Sequence, residues 1–246
     1  MVAAVVAAVA LLGFAGFQSA TQAAYACSTV WQPAPTASPA AGSSPQPGYA
    51  QPDMGQGHVG ASTKITYTYC PPASGRHYQA SGVGPLPPRL YSPTDTVIPE
   101  GWTHNLEHGG LVLLYRGDSE AAKPEGQAAL RAFFDSYPPS PVCNFPARTN
   151  VGPVFARFED MAWPMAALVW GRVLPLQSLD TAAVLAFDRA YGEKTGPEKF
   201  CAAPSASPSA EASGSAAPSG TTAPSGSAAP SGSAAPSAAP PSPSPS

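Results

Sequence analysis

Gly109-Gly110-Leu111-Val112-Leu113-Leu114-Tyr115-Arg116-Gly117 is the stretch on which the fold turns. Five apolar residues run without a polar break between glycines, the pattern of a short strand buried on both faces rather than one half-exposed to water. Working outward, Lys123 to Tyr137 carries good helix formers with Leu130, Phe133 and Phe134 on one side, and Pro138-Pro139 as a stop. Val154–Phe158 and Ala166–Leu174 are apolar and aromatic, joined by a connection holding Glu159-Asp160 and Pro164, which suits an antiparallel hairpin. Thr181–Tyr191 places Val184, Leu185 and Phe187 on one helical face, with Asp180 as the N-cap. Upstream, Ile65-Thr66-Tyr67-Thr68-Tyr69 has strand composition and ends at Pro71-Pro72. Pro71 to Gly101 then reads as a long loop, a length that points to function or mobility. The order predicts an α+β fold: an antiparallel sheet with two helices packed on one face, for which a ferredoxin-like arrangement is one solution.

The ends have a different character. From Ala202 to Ser246 the chain is almost wholly Ala, Ser, Pro, Gly and Thr, with Glu211 the sole charge, so it lacks the side chains to offset its ordering entropy and is expected to be disordered. Val2 to Phe17 is an uncharged apolar run, and Ala24-Tyr25-Ala26 offers a small-x-small cleavage pattern, so residues 1–26 are expected to be a signal peptide or membrane anchor. A spanning helix needs about 20 apolar residues, which Val2–Ala20 with its glycines barely supplies. The first basic residue is Lys64, so the run lacks a basic flank, as a truncated start would leave it. Residues 27–52 read as a Pro/Ala/Ser-rich spacer and 53–201 as one globular domain. The chain is therefore expected outside the cytoplasm, secreted or held to a membrane by its N-terminal apolar segment. With 12 Lys and Arg against 15 Asp and Glu, a net charge of −3 and no basic run, nucleic acid is excluded as the expected partner. An envelope partner or a small ligand fits better.

Four cysteines, Cys27, Cys70, Cys143 and Cys201, form an even set suited to an oxidising compartment. Cys143–Cys201 is the expected pair, because both lie in the later half of the domain, and Cys27 is expected to stay out of it. No CxxC spacing supports a zinc ribbon or a thioredoxin-type site.

The chemistry is concentrated in the histidines. All four, His58, His77, His104 and His108, precede Gly110, and each has a glycine nearby. Neutral imidazole is a common metal ligand, so His77, His104 and His108, completed by His58 or Glu107, form a candidate zinc or copper site. His104-Asn105-Leu106-Glu107-His108 matches H-x-x-E-H, a metallopeptidase pattern in which two helical histidines ligate and the glutamate is the base. Pro99 and Gly101 before it and Gly109-Gly110 after it leave scarcely two helical turns, which argues against that reading. The non-catalytic alternative is a structural or interaction module whose histidines hydrogen-bond loop backbone, with Glu107 paired to Arg76 or Arg89 and His58 at the surface. A second alternative is a metal-independent hydrolase using Glu107 and a histidine as acid and base. Ser74 lacks a Gly-x-Ser-x-Gly elbow, and Met54, Met161 and Met165 are expected to pack, with Met54 also a candidate copper(I) ligand. Trp102, Trp163 and Trp170 are expected as core or rim aromatics, Asp188 and Glu198 as solvated charges.

Tyr69-Cys70-Pro71-Pro72-Ala73-Ser74-Gly75-Arg76-His77-Tyr78 and then His104-Asn105-Leu106-Glu107-His108-Gly109-Gly110 resemble the bacterial family Domain of Unknown Function 3105. The resemblance extends through Trp170-Gly171-Arg172 and Gly196-Pro197-Glu198. Ala73 and Arg76 stand where the family's PPTSGPH-like segment has a threonine and a second proline, while the histidine remains. The resemblance implies an exported or membrane-anchored domain and carries over no activity.

Overall fold

The computed structural model of the chain describes residues 25–34, 47–149 and 152–201. The apolar start, the middle of the spacer and the Ala/Ser/Pro tail lie outside the described residues. Among the described residues, no helix is long and apolar enough to cross a membrane.

The α+β class holds, with three α-helices among the described residues. In chain order the elements are β1 (Tyr25–Val30), β2 (Tyr49–Ala50), β3 (His58–Val59), β4 (Ile65–Cys70), β5 (His77–Tyr78), α1 (Pro99–Glu107) and β6 (Val112–Tyr115). A 3₁₀ turn, Glu120–Ala122, leads into α2 (Pro124–Asp135), then β7 (Val154–Arg157), β8 (Met165–Val169), β9 (Arg172–Leu176) and α3 (Thr181–Tyr191).

Five strands make the main sheet in the order β2-β9-β8-β6-β7. All four residues of β6 and all five of β8 are buried, because this sheet is covered on both faces. Strand alternation divides the core. Leu113, Tyr115, Phe155, Ala167 and Val169 pack against Leu130, Phe133 and Phe134 of α2 and Val184 and Phe187 of α3. Val112, Leu114, Ala156 and Leu168 pack on the other side with Trp102 and Leu106 of α1 and Ile65 and Tyr67 of β4. The two expected helices thus share one face, and a third covers the opposite one.

Three expectations are corrected. The segment Ala166–Leu174 is two strands, since Gly171 at φ +69° reverses the chain and pairs Val169 with Arg172. Only Gly171 and Arg172 interrupt the apolar residues, so the two runs read as one. The hairpin expected between β7 and β8 is absent, because β6 lies between them. β6 pairs parallel with β7, the crossover passing through α2, and antiparallel with β8. A split ferredoxin-like order would instead insert a strand between β6 and β7, the strands that α2 joins.

The third concerns the stretch read as loop, Pro71 to Gly101, which contains β5 and the first turn of α1. Pro99 opens α1 at its first turn, where the missing amide costs nothing. Gly101 serves close approach rather than a turn: a Cβ there would stand 2.6 Å from the Val83 carbonyl oxygen.

The ordered body also reaches upstream of Asp53. β1 pairs parallel with β4, Cys27 is bonded to Cys70, and the Trp31 amide donates to the Cys70 carbonyl at 2.9 Å. Gln51 is buried, its side chain bridging the Pro71 carbonyl (3.0 Å) and the Ala73 amide (2.8 Å). Cys143–Cys201 is the second disulfide, so all four cysteines are used and Cys27 is not left over. Asp180 caps α3 as expected, accepting from the Ala183 amide at 2.9 Å.

Candidate metal centre

Two pieces of secondary structure bring the cluster together. β3 and β5 pair in parallel with His58 opposite His77, so the two rings leave the same face of a two-stranded ribbon. The pairing is held by the His77 amide to Gly57 O (3.0 Å) and the Gln79 amide to Val59 O (3.2 Å). α1 supplies His104 and Glu107, which at i and i+3 share one face of the helix. The helix stops directly afterwards through its glycines. Gly109, at φ +88°, donates to Leu106 O and Gly110 to Asn105 O, both at 2.9 Å, the double closure of a Schellman motif. The backbone of the HNLEHGG segment is therefore helical through Glu107, at the end of a nine-residue helix that fits between Pro99 and the two glycines.

The resulting geometry is compact. The Glu107 Oε2 lies 2.9 Å from His58 Nε2 and 2.8 Å from His77 Nε2. The His58, His77 and His104 rings form a nearly equilateral triangle, with centroid separations of 4.9, 4.9 and 5.0 Å. Each of His58, His77, His104 and Glu107 offers a ligand atom within 4.8 Å of the others. His77, His104 and Glu107 are buried, and the edge of Trp170 closes on His77 at 6.2 Å. His58 is the open side, its side chain 30% exposed.

Two backbone carbonyls orient the rings. Gly75 O lies 2.8 Å from His77 Nδ1 and Tyr78 O lies 2.6 Å from His104 Nδ1. A carbonyl can only accept, so both Nδ1 atoms carry the hydrogen. In the neutral imidazole this leaves the Nε2 lone pair facing inward, the arrangement that outer partners impose on ligating histidines. Burial pushes His104 below its ordinary pKa, which keeps that ring neutral near pH 7.

His108 stands apart from this quartet. It caps α1, its ring stacked between His104 (4.8 Å) and Phe200 (5.1 Å), with Nδ1 3.3 Å from Glu198 Oε2. Glu107 pairs with His58 and His77 rather than Arg76 or Arg89. Arg76 is exposed, and Arg89 lies over the Tyr91 ring, 3.8 Å from Asp95. Ser74 Oγ accepts from the Met54 amide, and the Met54 sulfur accepts from the Tyr69 amide. Sequence reasoning did not find the two orienting carbonyls, since backbone acceptors leave no residue signature, and it read Glu198 as a solvated charge.

A family model described as "Protein of unknown function (DUF3105)" matches residues 58–204. The chain belongs to this family. Neither a curated protein nor a solved structure matches the chain. The matched span opens at His58 and takes in the whole quartet, together with His108 and Glu198.

Within this DUF3105 domain the quartet depends on how α1 is fastened to the chain ahead of it. Asn105 does this with both ends of its amide, accepting from Leu86 N and donating to Leu86 O, each at 2.8 Å. The side chain thus imitates a strand neighbour for one residue of an irregular segment. Asn105→Ala would leave two buried backbone groups unpaired and is expected to cost about 2 kcal/mol, the penalty for stranding such groups. Urea unfolding of the two proteins at equal m-value checks it; unchanged midpoints would show that Leu86 finds other partners.

Proposed function

We propose that this DUF3105 protein is an extracytoplasmic metal-binding protein, and that His58, His77, His104 and Glu107 hold one zinc ion. One observation carries the reading: the Gly75 carbonyl takes the His77 Nδ1 hydrogen, so the Nε2 lone pair of the neutral ring faces the Glu107 carboxylate. The Tyr78 carbonyl orients His104, whose ligand atom lies within 4.8 Å of the same group. Facing lone pairs 2.8 Å apart need a shared cation, and a metal ion bound by all four groups supplies it. The ring triangle supports tetrahedral coordination. Three imidazoles at about 2.0–2.1 Å from one zinc put their centroids roughly 5 Å apart, whereas a square-planar set would hold one pair roughly 6 Å apart. Four protein ligands make such a site closed, so the ion would brace β3, β5 and α1 against one another. The two disulfides support an oxidising compartment, and the apolar N-terminal run is proposed as its export signal or anchor.

A proton on an imidazole would also separate the facing lone pairs, which makes a metal-free cluster that simply orders the loop the competing reading. Metal analysis by mass spectrometry separates the two. The full chain, purified without an affinity tag and exchanged into zinc-buffered solution, is expected to retain at least one zinc per chain, and His104→Ala to lose it while keeping its far-ultraviolet dichroism. Wild-type protein that emerges metal-free after loading with zinc or copper would overturn the proposal in favour of the proton.

A further inference from the structure

Resting on that reading, we infer that Glu107 bridges two metal positions, and that His108 and Glu198 complete a second one open to solvent. Glu107 belongs to two clusters at once. Glu107, His108 and Glu198 also offer ligand atoms that all lie within 4.8 Å of one another. Both contacts of Glu107 inside the quartet use Oε2, which leaves Oε1 for the far side. His108 Nδ1 is buried without a hydrogen bond; the Glu198 carboxylate 3.3 Å away is near enough to pair but not aligned to accept. An imidazole nitrogen and a carboxylate oxygen pointed past one another are what a shared cation would draw together.

The position of Glu198 is built rather than accidental. The segment bearing it is laid across the C-terminal end of α1, with the Glu198 amide donating to Glu107 O at 3.2 Å. Gly196 permits this approach, because a Cβ there would stand 2.5 Å from that same carbonyl oxygen. Phe200 stacks on His108, and Cys201 ties the segment to Cys143. The Glu198 side chain nevertheless remains half exposed. The second position therefore differs from the first in kind. It has three protein ligands and a wet side, the form in which a metal keeps water or takes up an anionic oxygen ligand. Carboxylate-bridged pairs with ions about 3.5–4 Å apart clamp phosphate-like oxyanions, and inorganic phosphate is the simplest member of that class.

Zinc titration by calorimetry, with metal content after gel filtration, tests this on the full chain. Wild type is expected to bind two zinc ions, the second more weakly, and Glu198→Gln and His108→Ala to bind one each with the tighter affinity kept. Glu198→Gln alters a half-exposed side chain, so a folding defect does not cloud it. Inorganic phosphate should tighten the second event in wild type and do nothing in either variant. A wild type that saturates at one zinc would overturn the bridge and leave the quartet standing, whereas one that binds none would overturn the quartet as well. Two zinc ions retained by both variants would place the second metal elsewhere and also overturn it.

Discussion

Excess zinc is expected to raise the unfolding free energy of the wild-type chain by about 4 kcal/mol when free metal stands about 1,000-fold above the dissociation constant. Glu107→Gln is expected to remove that rise. The carboxylate faces two imidazoles at 2.8 and 2.9 Å and is the one anionic member of the quartet. A carboxamide of the same shape replaces the anionic oxygen donor by a neutral one, a much weaker ligand for a divalent cation. It gains an N–H₂ that can donate to an inward Nε2 lone pair, so the metal-free variant should be at least as stable as metal-free wild type. The pair of proteins therefore separates ligation from mere packing. For a domain of this size each kcal/mol moves the melting temperature by roughly 2–4 °C, so zinc should shift wild type by about 8–16 °C and the variant hardly at all. Thermal unfolding with zinc and with chelator measures it. Equal zinc shifts in both proteins would mean that Glu107 is not a ligand.

What the sequence disclosed about this cluster, and what it hid, follows from the distances along the chain. His104 and Glu107 are one helical turn apart, so their spacing was a local signal that a helix would bring them to one side. The glycines after them looked like evidence against that helix. In fact Gly109 and Gly110 close it, and only the completed hydrogen-bond pattern distinguishes a helix stop from a turn. His58 read as a surface residue because its place depends on β3 pairing with β5, two short strands without apolar alternation. The same contrast governs the fold. α2, α3 and β6 carry their own caps or apolar runs, and Asp180 was legible as a cap because it acts three residues away. β1 and β2 do not, since partners elsewhere hold them: β4 and a disulfide for β1, β9 for β2. Glu198 looked like an ordinary solvated charge, and nothing in its neighbours foretold that its amide would dock on α1.

Glu100 is expected to withdraw about 3 kcal/mol of stability from the metal-free protein as pH rises from 4.5 to about 7, a contribution read as the difference between wild type and a variant without that carboxyl. This carboxyl sits in the first turn of α1, 0% exposed, with neither oxygen hydrogen-bonded. Burial pushes its pKa from the ordinary 4.5 up to about 7, opposed only in part by its own backbone amide. The folded chain therefore keeps a proton that the unfolded chain gives up above pH 4.5. Between the two values the fold binds more protons than the unfolded state, so unfolding becomes easier as pH rises. Above about 7 both states are ionised and the loss is complete. The full contribution is present only below 4.5, and a shift of this size corresponds to about 3 kcal/mol at about 1.36 kcal/mol per unit. Glu100→Gln has no proton to lose. The stability of the variant relative to wild type should rise by that amount across the interval and then level off. Chelator must be present, because metal binding to neutral imidazoles strengthens as pH rises and would mask the slope. Urea unfolding of both proteins at half-unit steps from pH 4 to 8 provides the curve. A difference that stays flat would place the Glu100 carboxylate, ionised, among groups that already compensate its charge. A difference that climbs would make the helix bearing His104 and Glu107 one that the protein holds under electrostatic load at neutral pH, with bound metal offsetting it.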